Sequence, residues 1–136
     1  MKTCVIFCAG GFEKLAQPMG KDDYILAADG GLSHLQKLGI EPNGIIGDFD
    51  SLERMQIVIP DDDTSAPEVI TLPHEKDMTD TEAACDLAYS RGAGVMTVLG
   101  GIGGRFDHTM ANIGLMCKYL GKADIFILDG DNFIRM

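Results

Sequence analysis

The chain has 136 residues, 46% of them hydrophobic and 24% charged, which suits one soluble domain with a sizeable core. Its formal net charge of −10 repels a phosphate backbone and argues against general nucleic-acid binding, though not against small phosphorylated ligands whose charge a bound cation offsets. No apolar run approaches a membrane span, and the apolar start at residues 4–9 is too short for a signal peptide, so a cytoplasmic location without membrane contact is expected.

A β-rich apolar run over residues 3–9 closes on Gly10-Gly11, and a second over 24–28 closes on Asp29-Gly30-Gly31. The piece between them, 12–17, reads as short helix or irregular chain ended by Pro18 and Gly20. Apolar residues at 32, 35 and 38 have helical spacing, and Gly39 suits the C-cap. Ile45-Ile46 marks a third strand. Residues 52–67 hold Ile57-Val58-Ile59 but break at Pro60 and Asp61-Asp62-Asp63, and read as a surface excursion with a solvated acidic loop. Residues 68–72 give a fourth strand and 73–77 a polar loop. Thr79-Asp80-Thr81-Glu82 has the form of a capping box and opens a helix to about Ser90. A fifth strand at 95–99 runs into Gly100-Gly101-Ile102-Gly103-Gly104, then a helix over 107–119 with Gly121 beyond it. A sixth strand spans 123–128, Asp129-Gly130-Asp131-Asn132 turns, and 133–136 can begin another strand.

Strands alternating with helices predict an α/β domain over residues 1–130: three layers, α/β/α, with a mainly parallel, Rossmann-like sheet of about six strands. Ligands bind such sheets outside the carboxyl ends of the strands, where these glycine and acidic clusters fall. Cys4, Cys8, Cys85 and Cys117 form no C-x-x-C pair, so free buried thiols are expected and a zinc site is not.

Asp48 and Asp50 flank Phe49 past the third strand, and in extended chain residues i and i+2 share a side. They read either as a hard-cation pair, for which Mg²⁺ is suited, or as an ordinary Gly-Asp-Ser turn. Asp77, Asp80 and Glu82 surround a helix start; capping explains Glu82 well, whereas Asp80 is the better metal or substrate candidate. The 100–104 glycines allow close approach of backbone N–H groups to phosphate, and Arg105 adds a fork for phosphate oxygens; a tight turn and an Arg105–Asp107 ion pair are the plainer alternatives. Asp107 can cap its helix, and His108 can contact a ligand or simply pack. Asp29 can accept from a ribose hydroxyl or base, or simply turn the chain. Lys76 can touch phosphate or pair with Asp77, and His34 and His74 read as surface residues. No nucleophile motif is present, whereas metal-assisted phosphoryl-type transfer, which needs positioning and charge neutralisation, suits these residues.

Four stretches together resemble the nucleotide-binding domain of thiamine pyrophosphokinase: Ala28-Asp29-Gly30-Gly31, Gly47-Asp48-Phe49-Asp50-Ser51, residues 76–82 from Lys76 to Glu82, and residues 100–108 from Gly100 to His108. The resemblance implies transfer of a pyrophosphoryl group from ATP to the hydroxyl of thiamine, giving thiamine diphosphate and AMP. It implies Mg²⁺ held by Asp48, Asp50 and Asp80, with Asp77 and Arg105 also catalytic. It places the nucleotide against Gly10, Gly11, Asp29, Gly30, Gly31, Ser51, Lys76, Thr79, Gly101, Gly103, Gly104, Arg105, Asp107 and His108. Family members are homodimers with a following β-sandwich domain that helps form the thiamine pocket. This chain stops near where that domain would begin, so residues 131–136 are expected to be its first residues in a truncated form, weak or inactive alone, or else the chain is a stand-alone nucleotide domain. A pyrophosphokinase for another alcohol, such as a pterin, and a non-catalytic nucleotide-binding module are the alternatives.

Overall fold

The structure, a computed structural model, describes residues 2–8, 23–28, 31–48, 68–72, 80–100, 106–129 and 132–135, with side chains omitted for residues 2, 48, 71, 72, 80, 106–108, 129, 132 and 133. The strands are β1 (Lys2–Phe7), β2 (Tyr24–Ala28), β3 (Gly44–Asp48), β4 (Glu68–Leu72), β5 (Ala93–Leu99), β6 (Asp124–Asp129) and β7 (Asn132–Arg135). The helices among the described residues are α1 (Gly31–Leu38), α2 (Asp80–Ser90) and α3 (Phe106–Lys118). All seven strands form one sheet in the order β4-β3-β2-β1-β5-β6-β7. Every neighbouring pair is parallel except β6 with β7.

Strand after strand is apolar on both faces, as expected where helices cover a parallel sheet on each side. Along β1 and its end, Cys4, Ile6 and Cys8 join one cluster, while Val5 and Phe7 join the other. The same alternation runs through β2, with Leu26 and Ala28 against Ala27, and through β3, with Ile46 against Ile45. The first cluster takes Ala83, Ala84, Cys85 and Ala88 from α2 and Leu115 and Met116 from α3. Small side chains on α2 let that helix lie close to the strands. The second cluster takes Leu32 and Leu35 from α1. Gly39, at φ 70°, ends α1 in the left-handed conformation that glycine adopts without strain.

Among the described residues the sheet has seven strands, the six expected and the further one anticipated at 133–136. Asp129 pairs with Asn132, so only two residues join β6 to β7, the length of the tightest hairpin. Ile134 lies against the first core cluster, and the Arg135 guanidinium sits 5.6 Å from the ring centre of its cross-strand partner Phe126. Expected burial holds for Cys4, Cys8 and Cys85, whereas Cys117 is exposed because its position on α3 faces away from the sheet. His34, read as a surface residue, is half-buried. The segments 9–22, 49–67 and 73–79, including the irregular piece, the acidic excursion and the polar loop, lie outside the described residues. None of the described helices is long and apolar enough to cross a membrane.

Candidate functional site

The chain winds from β1 out to β4 on one side, crosses back through α2 to β5, and continues outward to β6 on the other side. Strand order therefore reverses between β1 and β5, and the carboxyl ends of those strands frame the crevice where such sheets take ligands. Three independent contacts tie the surrounding elements to the end of β1. The Cys8 amide donates to the Leu99 carbonyl of β5 at 2.7 Å. The Cys8 Sγ lies 3.2 Å from Thr81 Oγ1 in the first turn of α2. Gly31, the first residue of α1, fits so closely against β1 that an added Cβ would stand 1.9 Å from the Phe7 carbonyl oxygen.

The backbone sets several of the anticipated residues on this carboxyl edge. Asp48 is the last residue of β3, opposite Leu72 of β4. Asp80 is the first residue of α2, and Asp107 and His108 are in the first turn of α3. Gly100 follows β5 with φ 76°, so the turn leading into the glycine-rich stretch begins in a conformation that suits glycine. Gly31 begins α1, and its close approach to Phe7 is a packing reason for glycine there apart from any ligand contact. The anticipated residues Gly10, Gly11, Asp29, Gly30, Asp50, Ser51, Lys76, Asp77, Thr79, Gly101, Gly103, Gly104 and Arg105 lie outside the described residues. Among the described residues, no three His, Cys, Asp or Glu side chains gather as a metal-binding group.

Thiol chemistry is disfavoured at Cys85 of α2. Burial pushes the Cys85 thiol well above its ordinary value, with Cys8 and Cys4 adding to the shift, so it stays protonated at neutral pH. Glu82, read as the acid of a capping box, accepts from Lys118 Nζ of α3 at 3.1 Å. Sequence reasoning took Cys8 as a core residue and Thr81 as part of the capping box; nothing in the sequence signals that the two side chains meet.

The family model for the thiamin pyrophosphokinase catalytic domain matches residues 15–127. The thiamine pyrophosphokinase of Bacillus subtilis (strain 168) is 33% identical over 143 aligned residues, covering 100% of this chain and 64% of that protein. Thiamin pyrophosphokinase 1 of Caenorhabditis elegans is 31% identical over 124 residues, covering 84% of this chain and 48% of that protein. Thus the chain spans less than two thirds of the length of either relative. The crystal structure of the Bacillus subtilis thiamine pyrophosphokinase superposes with a TM-score of 0.78 at 27% identity, over 99% of this chain and 63% of the other. That of a thiamin pyrophosphokinase family protein from Enterococcus faecalis gives 0.77 at 30% identity, over 99% and 64%. With a family model matched over most of its length, from before β2 to within β6, the chain belongs to the thiamin pyrophosphokinase catalytic-domain family.

Proposed function

We propose that the chain is the nucleotide-binding part of a thiamine pyrophosphokinase, with a three-layer, Rossmann-like arrangement that binds ATP at the carboxyl edge of the sheet. The reading is supported above all by convergence: Asp48 ends β3, and Gly31, Asp80 and Phe106 begin α1, α2 and α3 along the same edge. The parallel sheet brings strand ends and helix starts to this edge; that acidic and glycine residues occupy several of them is what supports a site.

In the proposed reaction the thiamine hydroxyl oxygen attacks the β-phosphorus of ATP. The bond from that phosphorus to the oxygen bridging to the α-phosphorus breaks, and AMP leaves with that oxygen. An acidic residue at the edge takes the hydroxyl proton, and a loose transition state asks little more of a base. The helix starts direct free backbone N–H groups and a favourable dipole towards phosphate. Gly10, Gly11, Asp29, Gly30, Ser51, Lys76, Thr79, Gly101, Gly103, Gly104, Asp107 and His108 would surround the nucleotide, and Arg105 would clamp phosphate oxygens.

Carboxylate oxygens are the donors Mg²⁺ takes, and Asp48 and Asp80 on one edge fit it, with Asp50 two residues past Asp48. Asp48, Asp50 and Asp80 would hold the ion, with Asp77 beside them; bound Mg²⁺ neutralises charge on the transferring phosphates. A homodimer in the cytoplasm, with thiamine held partly by a β-sandwich domain following this one, completes the proposal.

Calorimetric titration with a non-hydrolysable ATP analogue, with and without Mg²⁺, tests it, together with AMP release from ATP and thiamine. Binding that needs Mg²⁺ and is lost in Asp48→Asn/Asp50→Asn is the expected result. Nucleotide binding unchanged in that variant would remove the metal assignment, and AMP formed equally well with a pterin alcohol would remove thiamine.

A further inference from the structure

We propose that Cys8 is a positioning residue, whose contact with Thr81 holds the head of α2, and with it Asp80, in register with the strand ends that form the crevice. The inference rests on the pyrophosphokinase reading for its functional meaning, and on geometry for the rest. Cys8 is 5% exposed and stands one residue past β1, the central strand of the sheet. Its amide is fixed to β5 through Leu99, immediately before the glycine-rich turn at Gly100. Its side chain reaches across to Thr81, 73 positions away in the chain and adjacent to Asp80. Residue 7, just before it, offers the carbonyl against which Gly31 of α1 is seated. Two adjacent residues thus meet the elements that carry three of the four motif stretches.

This matters because α2 arrives from the far side of the sheet. It follows β4, an edge strand, and must cross β3, β2 and β1 to reach β5. Its buried residues Ala83, Ala84, Cys85 and Ala88 are small and apolar, and apolar packing is non-directional. The hydrogen bond at the first turn adds a directional tie to the end of β1, beside those that Glu82 and Asp86 make with Lys118 and Tyr119. Placement errors of about 1 Å at a reacting centre cost on the order of 100-fold in rate, so an anchor at the helix head bears directly on where the backbone of Asp80 stands. Cys8 touches neither nucleotide nor metal in this scheme; it acts through Thr81 and the α2 backbone.

The test uses Cys8→Ala, Thr81→Val, the pair together, and the retaining variants Cys8→Ser and Thr81→Ser. Each is read by hydrogen exchange of the backbone over residues 80–88 and 31–38, and by calorimetry with Mg²⁺ and the ATP analogue. The expected result is faster exchange over 80–88 than over 31–38 in Cys8→Ala and Thr81→Val. Mg²⁺-dependent affinity should weaken about threefold to tenfold, the range of one lost hydrogen bond, with the pair no worse than either single variant. The serine variants should stay near wild type. Exchange over 80–88 unchanged in folded Cys8→Ala, or effects that add in the pair, would overturn the proposal. Wild-type protein that binds no nucleotide while Cys8→Ala still loosens 80–88 would overturn the functional reading and leave the α2 anchor standing.

Discussion

A single methyl group at Gly31 would collide with the Phe7 carbonyl oxygen, 1.9 Å from where its Cβ would sit. The obstacle is backbone in the central strand, so no side chain can rotate away to relieve it. Gly31→Ala is therefore expected to destabilise by about 3 kcal/mol, the upper end for overpacking. Gly114 provides the contrast. It lies on the exposed side of α3 with nothing within 4 Å of an added Cβ. There the alanine removes only the entropic cost of glycine in a helix, and Gly114→Ala should stabilise by about 0.5–1 kcal/mol. Urea unfolding midpoints at constant m-value measure both. Equal midpoints for Gly31→Ala and wild type would disprove the close seating of α1 on β1. The sequence marks Gly31 as a special glycine past a strand end, which is legible. That its neighbour is Phe7 is not, because the contact depends on how β1 and α1 meet across the sheet.

Between elements, α2 and α3 are clasped by one cluster. Tyr119, just past α3 and 3% exposed, donates its hydroxyl to Asp86 of α2. Lys118 reaches Asp86 Oδ1 at 2.9 Å and Glu82 Oε1 at 3.1 Å. The two contacts differ in worth. The Lys118 side chain is 43% exposed, so solvent screens its ion pairs and Lys118→Ala should cost about 0.5 kcal/mol or less. Asp86→Ala strands a buried hydroxyl without its acceptor and should cost about 1–3 kcal/mol. Adding Tyr119→Phe to Asp86→Ala should recover part of that loss, because the orphaned group is gone; denaturant melts of the four proteins check this cycle. A costless Asp86→Ala would show that the cluster is surface decoration. Nothing in the sequence reveals this clasp, since Glu82 reads naturally as the acid of a capping box and its cation lies on another helix. Other elements are plain in the sequence. β2 and β4 match the expected runs end to end, because turn-forming or breaking residues bound each apolar run. β7 lies one residue earlier than the expected 133–136, and Phe133 and Ile134 are the strand-favouring residues that make it legible.

On the scale of the whole molecule, the two edges of the sheet have different chemistry. Alternating strands and helices predict a parallel sheet, and hence that the glycine and acidic clusters share one edge. The strand order that centres the crevice on β1 and β5 is set by long-range pairing, which no local pattern encodes. The amino-terminal edge holds a small cavity of about 100 Å³ lined by Thr3, Cys4, Tyr24, Ala88, Arg91 and Ala93. Beside it the Tyr24 hydroxyl donates to Glu68 Oε2 at 3.2 Å, and Arg91 pairs with the same carboxylate. Burial raises Cys4 from 9.0 to about 12, with a smaller push from Asp23. Burial, then the Glu68 charge and hydrogen bond, raises Tyr24 from 10.0 to about 12. Both groups favour the proton in the folded state, so their stabilising effect is complete below the unfolded values. As pH rises past 9.0 the unfolded chain releases its Cys4 proton, and past 10.0 its Tyr24 proton, while the folded chain keeps both until about 12. The unfolded state then binds fewer protons, and stability falls steadily across that interval. Melting temperatures should accordingly be flat just below pH 9 and decline towards pH 12. Cys4→Ala/Tyr24→Phe should start from a lower melting temperature, having lost buried contacts, yet fall less steeply. Some slope should persist, because burial raises Cys85 in the same direction. Parallel curves for the variant and wild type would mean that the alkaline loss of stability arises elsewhere, with repulsion in a chain of net charge −10 the first candidate. Added salt then separates the two causes, since it screens surface repulsion and leaves the cost of burying a thiolate untouched.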